Sequence, residues 1–390
     1  MLTDVQRFVV SDFLAAASAE TGLMDFGDEE FREGLEHFVE STNNDVRLTP
    51  TGAAVFHGEI HGMLVNRLRF ADDLKTHPEI LDEELSDPII VMGLPRTGTT
   101  KLQRMLATDP GLQSVKVWQT IFPARFPGVA PGAVDPRIDA ARQAYAMLMQ
   151  LAPDMNQIHP SQISDPEEEI FLQLLSFRSL ANYMAHPAHG YYRWAQTQSL
   201  RGTYAFTKQM LQYLQWQDGG RRDRPWILKT PVHIGNVDLL NEHFPKATYV
   251  FTHRDVQQVV PSFCRLVETF WRVKTDAIDP NLIGQFVMNV WADEMSKHLA
   301  LRDRLGARIQ FYDVPYVQVK DEAVTVIREI YRRAGREFVP AREQAIKVWE
   351  ADHAYARHGR NHYTLAQYGL TGGMIDQVYL EYRRRFAAYL

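Results

Sequence analysis

The chain has 390 residues, enough to bury a sizeable hydrophobic core in one large domain or in two. Hydrophobic residues make up 45% of it, and the net charge is −6; this composition argues against disorder and against a general nucleic-acid binder that works by neutralising phosphates. Cys264 is the only cysteine, which excludes an intrachain disulfide and a cysteine-based zinc site and favours a reducing, cytoplasmic location.

The first 85 residues show the spacing of amphipathic helices, as in DEEFREGLEHFVEST and GEIHGMLVNRLRFADDL. Asp4, Arg7 and Asp12 interrupt the apolar residues at the start, so we expect no signal peptide. No stretch approaches ~18 uninterrupted apolar residues, so we expect no membrane span. We predict a helical N-terminal extension over 1–85 and a main domain over 86–390.

Four short apolar segments then have the composition of buried strands: PIIVMGL, RPWILKTP, ATYVFTHRD and ARIQFYDVP. Long helical stretches separate them. This alternation predicts an α/β fold in which helices cover both faces of a parallel sheet.

The segment from about 115 to 165 differs from the rest because prolines recur through FPARFPGVAPGAVDP. Trp118, Phe122 and Phe126 lie within the segment. A long irregular segment in an α/β domain is often a lid or a substrate loop, and we interpret it so. The alternative is a surface connection without a role.

The first strand leads into a loop that almost matches the phosphate-binding pattern G-x-x-x-x-G-K-[ST]. Gly93 and Gly98 have the right spacing, but Thr99 occupies the lysine position. The missing lysine argues against an ATPase or a kinase, and Arg96 offers a planar cation for phosphate or sulfate oxygens instead. The alternative is an ordinary strand–turn–helix junction with a solvent-facing arginine.

Two later strands end in further polar residues. Lys229 and His233 follow the second strand, where ligands bind in open α/β sheets. Arg254 follows the third strand, and Ser262 lies eight residues further on. Arg254 and Ser262 could converge on a second phosphate, or Asp255 could simply cap a helix beside a surface arginine.

The order of PRTGTT, strand-LKTP and strand-HRD resembles the sulfotransferases that use 3′-phosphoadenosine-5′-phosphosulfate (PAPS). The resemblance spans roughly residues 86–375 and implies a P-loop-NTPase-like fold. It implies that the first motif holds the 5′-phosphosulfate and that the arginine and serine of the third hold the 3′-phosphate. The matching residues are Arg96, Thr97, Gly98, Thr99 and Thr100, and Arg254 and Ser262.

The resemblance has consequences for the cofactor. PAPS has no γ-phosphate, so no Walker lysine and no metal is expected, and 3′,5′-adenosine bisphosphate (PAP) is the expected product. Two weaker matches lie further along the chain. Tyr312 in IQFYDVPYVQVKDEA would lie near the adenine, and Arg357 and Gly359 in ARHGRNHY would close over the 3′-phosphate.

Sulfuryl transfer to a hydroxyl needs a general base and stabilisation of charge, for which Arg96 and Lys229 are the expected cations. In the animal cytosolic members the base is a histidine two residues after the matching lysine. Here that position is Pro231, and His233 is the nearest substitute. We favour His233, because it follows the strand end that carries Lys229.

The other candidates for the base are Glu168 and Glu167 in SDPEEEIFLQLL. Ser164 and Pro166 are typical of a helix start, and helical spacing would place both carboxylates on the apolar stripe. The alternative is that these acids only complement the helix dipole. Further histidines that could act are His159, His186 and His189.

The sequence therefore predicts a PAPS-dependent sulfotransferase acting on a small, largely apolar alcohol, phenol or lipid. No nucleic-acid partner is expected, and a homo-oligomer stays open. The alternatives are a P-loop kinase for a small molecule and a non-catalytic nucleotide-binding protein of the same fold.

Overall fold

The structure, a computed structural model, describes residues 7–129, 133–220, 223–353 and 363–390. Four parallel strands form one sheet in the order β2-β1-β3-β4. Each strand lies within one of the four apolar segments named above, so the prediction of a parallel α/β sheet is confirmed. The strands are β1 Ile89–Gly93, β2 Ile227–Lys229, β3 Thr248–His253 and β4 Phe311–Pro315.

Helices make up most of the described chain. Before β2 they are α1 Val10–Thr21, α2 Glu30–Asp45, α3 Pro50–Thr76, α4 Thr99–Leu106, α5 Val117–Ile121, α6 Pro136–Leu151, α7 Met155–Ile158, α8 Ile170–Gln173, α9 Leu180–Ala185, α10 His189–Ala195 and α11 Arg201–Gln217. After β2 they are α12 Val237–His243, α13 Val256–Arg272, α14 Pro280–Leu305, α15 Tyr316–Asp321, α16 Ala323–Arg333, α17 Pro340–Asp352, α18 Gly372–Val378 and α19 Leu380–Arg385. Short 3₁₀ turns are Pro78–Asp82, Leu174–Ser176, Pro231–Gly235, Gly306–Arg308, Leu365–Tyr368 and Ala387–Tyr389.

Both faces of the sheet are covered, because successive side chains of a strand point to opposite faces. Ile89 and Val91 of β1 pack into a cluster with residues of α4, α16 and α17. Ile90 and Met92 pack into the larger cluster on the other face, with residues of α13 and α14. The sheet is therefore the middle layer. Because its strands are parallel, the polar residues at their carboxyl ends lie along the same edge of the sheet.

The N-terminal helices belong to the larger cluster. Phe13 of α1 and Phe56 of α3 are members of it, as are Met92 in the sheet and Phe386 near the C-terminus. Arg67 of α3 is buried and donates through Nη1 to the carbonyl of Leu175 at 2.9 Å. The helical prediction for this part of the chain is confirmed, and its core is continuous with that of the sheet.

The expectation of an irregular segment at about 115–165 is wrong over α6. Asp135 caps this helix by accepting from the Arg137 amide at 3.0 Å, and Pro136 occupies its first position. The buried Arg137 side chain also donates to the carbonyl of Pro123 at 2.9 Å. The helix therefore anchors the proline-containing loop before it.

The prediction of a helix start at Ser164 and Pro166 is also wrong. Pro166 pairs with Lys116 in an isolated antiparallel bridge, and the Glu167 amide donates to the carbonyl of Val115 at 2.9 Å. The helix begins only at Ile170. Pairing with a distant segment replaces the first helical turn, so helical spacing does not describe where the three glutamates point.

Candidate active site

The loop after β1 has a backbone built for close approach. Gly93 and Gly98 have φ angles of +149° and +90°. A Cβ on Gly93 would lie 2.5 Å from the carbonyl oxygen of Thr252, so glycine is required there. Arg96 has a φ angle of +67°, a conformation that residues other than glycine rarely adopt and that often marks a functional site.

The loop is held rigidly and offers free donors. The Thr97 hydroxyl lies 2.6 Å from both the carbonyl oxygen of Leu94 and the hydroxyl of Thr252. The first hydrogen bond of α4 is donated by the Leu102 amide to the carbonyl oxygen of Gly98 at 3.1 Å. The amides of residues 98–101 therefore have no acceptor within the helix, and the start of α4 is suited to binding an anion.

Arg254 and Ser262 both contact Arg96 of this loop. Arg96 donates through Nε to Ser262 Oγ at 3.2 Å. Arg254 donates through Nη1 to the carbonyl of Arg96 at 2.8 Å, and its guanidinium lies 4.2 Å from the ring centroid of Tyr316. Two guanidinium groups and a hydroxyl therefore lie together at the rim of the loop.

Lys229 is fully buried at the end of β2 and lies beside the start of α4. Its Nζ lies 2.5 Å from Glu168 Oε1 and 3.3 Å from Thr100 Oγ1. A buried ammonium needs such a partner, because an unpaired charge in the interior is strongly destabilising. The Glu168 side chain keeps 18% of its surface exposed, so the carboxylate is reached by solvent.

His233 and Glu169 form a second, closed pair. His233 Nε2 lies 2.5 Å from Glu169 Oε1, and its Nδ1 lies 2.9 Å from the hydroxyl of Tyr204. Glu169 Oε2 accepts from the backbone amide of Lys229 at 2.8 Å. Each side chain of the pair is only 1% exposed. Both ring nitrogens and both carboxylate oxygens therefore have partners inside the protein.

Glu167 is the third carboxylate of the run and is buried. His159 Nε2 lies 3.2 Å from its Oε2, and the Glu168 amide donates to its Oε1 at 2.9 Å. Burial by itself would raise the pKa of Glu167, but His159, Lys229 and the Glu168 amide lower it to about 2. A carboxylate with so low a pKa stays ionised and is a poor proton acceptor.

The remaining sequence candidates have the following surroundings. Tyr312 belongs to β4 and lies opposite Val250 of β3, and the Arg333 guanidinium lies 4.7 Å from the centroid of the Tyr312 ring. Among the N-terminal helices, His186 is buried 2.9 Å from the Thr42 hydroxyl. His189 Nδ1 lies 2.6 Å from the hydroxyl of Tyr183. Arg357 and Gly359 lie outside the residues that the structure describes.

Sequence reasoning missed Glu169, because the helical spacing assumed for the glutamate run does not apply before Ile170. The available signal was the run of three consecutive carboxylates directly before an apolar helix.

Within the described ranges, no group of three or more His, Cys, Asp or Glu side chains is arranged to hold a metal ion. In the same part of the chain, no helix is long and apolar enough to cross a membrane.

The parallel sheet, with a glycine-bracketed loop between its first strand and the helix that follows, defines an α/β protein of the P-loop-like class. The chain belongs to the sulfotransferase family, whose defining pattern matches residues 88–340, more than half of the sequence. A similar structure is the sulfotransferase STF9 from Mycobacterium avium, with a TM-score of 0.86 and 27% identity, covering 99% of this chain and 98% of that one.

Two further proteins are similar to the chain. The sulfotransferase STF1 from Mycobacterium tuberculosis H37Rv has a TM-score of 0.80 and 27% identity, covering 96% of this chain and 99% of that chain. A curated relative from Mycobacterium bovis, omega-hydroxy-beta-dihydromenaquinone-9 sulfotransferase Stf3, is 21% identical over 278 residues. That match covers 68% of this chain and 67% of the relative.

Proposed function

We propose that the protein transfers the sulfuryl group of PAPS to a hydroxyl of a small, largely apolar acceptor and releases PAP. The observation that carries this proposal is the Lys229–Glu168 pair, which lies against Thr100 at the start of α4. This pair places a cation and a partly exposed glutamate beside the loop at the start of α4. Sulfuryl transfer to a hydroxyl requires these two groups at the reacting centre.

The loop and its rim fit the two charged ends of the donor. The free amides at the start of α4, with Arg96, Thr99 and Thr100, would hold the 5′-phosphosulfate. Arg254 and Ser262, which contact Arg96 through a guanidinium and a hydroxyl, would hold the 3′-phosphate. The donor supplies the sulfuryl group, and the protein supplies position and charge.

We assign the general base to Glu168 rather than to the favoured sequence candidate, His233. The contacts of His233 with Glu169 and Tyr204 occupy both ring nitrogens in the interior. Glu167 is buried and held by His159, which leaves Glu168 as the least buried carboxylate of the three. Glu168 would take the proton of the acceptor hydroxyl, and the Lys229 ammonium would stabilise negative charge on the sulfuryl oxygens and on the leaving phosphate.

The pair formed by Glu169 and His233 has a positioning role in this scheme. Glu169 accepts from both the Lys229 amide and the His233 ring, so it ties the glutamate run to the end of β2. Any shift of this run relative to the strand would separate Glu168 from Lys229. We therefore treat His233 and Glu169 as residues that hold the reacting carboxylate in place.

A cavity of about 530 Å³ with a mixed polar and apolar lining lies between α3 and the proline-containing loop. Val65 of α3 and Phe122, Phe126 and Pro127 of the proline-containing loop line it, with Glu20, His61 and Arg69 among its polar residues. The volume is within the range of small-molecule sites. The Lys116–Pro166 bridge lies beside the start of α5, and Phe122 follows the end of α5, so α5 connects the cavity lining to this bridge along the chain. The relative Stf3 is named for an omega-hydroxy acceptor, which agrees with a hydroxyl as the reacting group.

The assignment of the base is tested by comparing Glu168→Gln with His233→Gln in a sulfotransfer assay. Glu168→Gln should lower kcat by about a hundredfold or more and leave PAP affinity within about twofold, because a positioned base is worth roughly 10²–10⁴ in rate. His233→Gln should lower thermal stability and reduce kcat much less than Glu168→Gln does, because the glutamine amide can still donate to Glu169 and hold the glutamate run in place. Glu36→Gln, a change at an exposed glutamate of α2, is the matched control and should change neither. A hundredfold loss in His233→Gln with normal turnover in Glu168→Gln would return the base to His233.

The donor is tested by thermal-shift titration with PAP and with Mg-ATP. Binding to the folded protein raises the melting temperature, so PAP should raise it and Mg-ATP should not. Stabilisation by Mg-ATP alone would favour the kinase. Stabilisation by PAP without sulfation of any tested alcohol or phenol would favour the non-catalytic nucleotide-binding protein.

A further inference from the structure

Tyr316 is the first residue of α15 and follows β4 directly. In the parallel register of β3 and β4, the last pair of opposite residues is His253 and Pro315. Arg254 and Tyr316 are therefore the next residues along these two neighbouring strands, at the edge of the sheet that carries the polar strand ends. The topology of the sheet thus brings this tyrosine beside an arginine of the candidate site.

The Tyr316 side chain contacts both parts of the candidate donor site. The Arg254 guanidinium lies 4.2 Å from the centroid of the Tyr316 ring. On the side of the loop, a Cβ built on Gly98 would lie 3.1 Å from Cδ2 and 3.3 Å from Cε2 of the same ring. An aromatic face attracts a guanidinium at this distance. One ring therefore lies against the residue before α4 and also holds the guanidinium of Arg254.

Three hydrogen bonds complete the orientation of Arg254. Its Nη1 donates to the carbonyl of Arg96 at 2.8 Å. Gln258 Oε1 accepts from its Nε at 3.3 Å and from its Nη2 at 3.1 Å. A guanidinium carries five N–H groups, so these contacts with described residues leave one N–H on each of the two Nη atoms. Two such groups on one fixed plane form a fork that suits a pair of phosphate oxygens.

Tyr312 of β4 has different neighbours, although it also lies beside an arginine. Its ring packs against the core cluster that includes Ile327 and Ile330 of α16. The guanidinium near it is that of Arg333, at 4.7 Å from the ring centroid. Within the described residues, the contacts with the loop and with Arg254 belong to Tyr316. An adenine contact by Tyr312 stays a prediction.

We propose that Tyr316 is a positioning residue for Arg254, and that its ring holds the guanidinium in the orientation that binds the 3′-phosphate of the donor. The inference rests on the proposed function, in which Arg254 binds that phosphate. Tyr316 acts through the arginine and needs no contact of its own with the nucleotide. It thereby contributes to the preference for a nucleotide that carries a 3′-phosphate.

The test measures binding of PAP and of adenosine 5′-phosphate, which differ only in the 3′-phosphate. The dissociation constant of adenosine 5′-phosphate divided by that of PAP reports how much the 3′-phosphate contributes. Tyr316→Leu should lower this ratio about three- to tenfold, because the guanidinium loses its aromatic support. Tyr316→Phe keeps the ring and should keep the ratio within about twofold. Lost packing against the loop would weaken both nucleotides and cancel in the ratio.

Tyr312→Leu is the matched control, since it also removes a tyrosine ring that lies beside a guanidinium. It should leave the ratio unchanged, because any contact of Tyr312 with the adenine would be common to both nucleotides. An equal fall of the ratio in Tyr312→Leu and Tyr316→Leu would overturn the inference. A fall in Tyr316→Phe as large as that in Tyr316→Leu would overturn the role of the ring.

Arg254→Ala separates this inference from the proposed function. If Arg254→Ala leaves the ratio unchanged, the proposed assignment of the 3′-phosphate fails, and the inference fails with it. If Arg254→Ala lowers the ratio but Tyr316→Leu does not, only the positioning role is overturned. The double variant should have the ratio of Arg254→Ala, and a further fall of about threefold or more would overturn the inference.

A second substitution decides the question if Tyr316→Leu does not fold. Tyr316→Gln replaces the ring with a flexible polar chain on a side chain that is only partly buried. It should lower the ratio about three- to tenfold, as expected for Tyr316→Leu. A ratio equal to that of the wild type in Tyr316→Gln would overturn the inference.

Discussion

At the scale of single residues, the run Glu167–Glu168–Glu169 shows how identical side chains acquire different roles. Each carboxylate meets a different basic side chain: His159, Lys229 and His233. Glu167 and Glu169 are buried, whereas Glu168 is only partly buried. Proton transfer needs a carboxylate that an acceptor can reach, so exposure rather than residue type separates the base from its supports.

Arg96→Lys tests the role of the guanidinium in the loop. Lysine replaces a planar fork with a point charge and meets the same backbone strain at φ +67°, so the variant should fold with unchanged stability. Turnover should fall about tenfold, because a charge-assisted pair of hydrogen bonds to the donor is reduced to one. A steady-state assay checks this, with the exposed Arg332→Lys as control. Wild-type turnover in Arg96→Lys would mean that the guanidinium does not contact the donor.

At the scale of elements, the junction between β1 and α4 depends on contact with the helix that follows β4. Gly98 is the residue before α4, and a Cβ built on it would lie 3.1 Å from side-chain atoms of both Tyr316 and Val319. These residues belong to α15. Glycine suits this position for two reasons. Its φ angle is positive, and a Cβ would require the side chains of Tyr316 and Val319 to move by a few tenths of an ångström.

Gly98→Ala should lower the free energy of unfolding by roughly 1–2 kcal/mol, because alanine is strained at φ +90°. It should also weaken PAP binding, since the amides of the loop would shift. Urea denaturation and PAP titration measure the two effects. The control is Gly58→Ala in α3, where a Cβ has no neighbour within 4 Å and alanine should leave stability unchanged or raise it. Equal unfolding free energies and PAP affinities in Gly98→Ala and the wild type would contradict the strain argument.

At the scale of the whole molecule, buried neutral histidines link stability to pH. Burial, helped by the Arg302 charge, lowers the pKa of His298 to about 3. Burial, with Lys274 nearby, lowers the pKa of His186 well below its usual value. Because both pKa values are lower in the folded than in the unfolded chain, the unfolded chain binds more protons below about pH 6.5, and stability falls as the pH falls.

The free energy of unfolding should therefore decrease between about pH 6.5 and about pH 5, by up to ~1.4 kcal/mol per pH unit for each such histidine. His298→Gln should reduce this slope by about one proton, and His57→Gln, a change at an exposed histidine, should leave it unchanged. Urea denaturation at several pH values supplies the slopes. A slope for His298→Gln equal to that of the wild type would show that His298 is not the group that titrates.

The sequence by itself determined the features that depend on neighbouring residues. Short apolar runs between glycines and prolines predicted all four strands, because a buried strand needs only a few consecutive apolar residues. The spacing of Gly93 and Gly98 predicted the loop, since its geometry is a local property of the backbone. The parallel orientation of the strands followed as well, because helical stretches separate successive strands.

Only the tertiary structure decided which distant groups meet. Pairing of Lys116 with Pro166 removed the helical turn that local preference favoured around Glu167 and so changed the direction of each glutamate. The closed pair of Glu169 with His233 and the contact of Tyr382 with His253 likewise join segments far apart in the chain. Local propensities differ by a few tenths of a kcal/mol per residue up to about one, whereas pairing a buried charge or hydrogen bond is worth about one to several kcal/mol, so tertiary contacts override local preference in the active site.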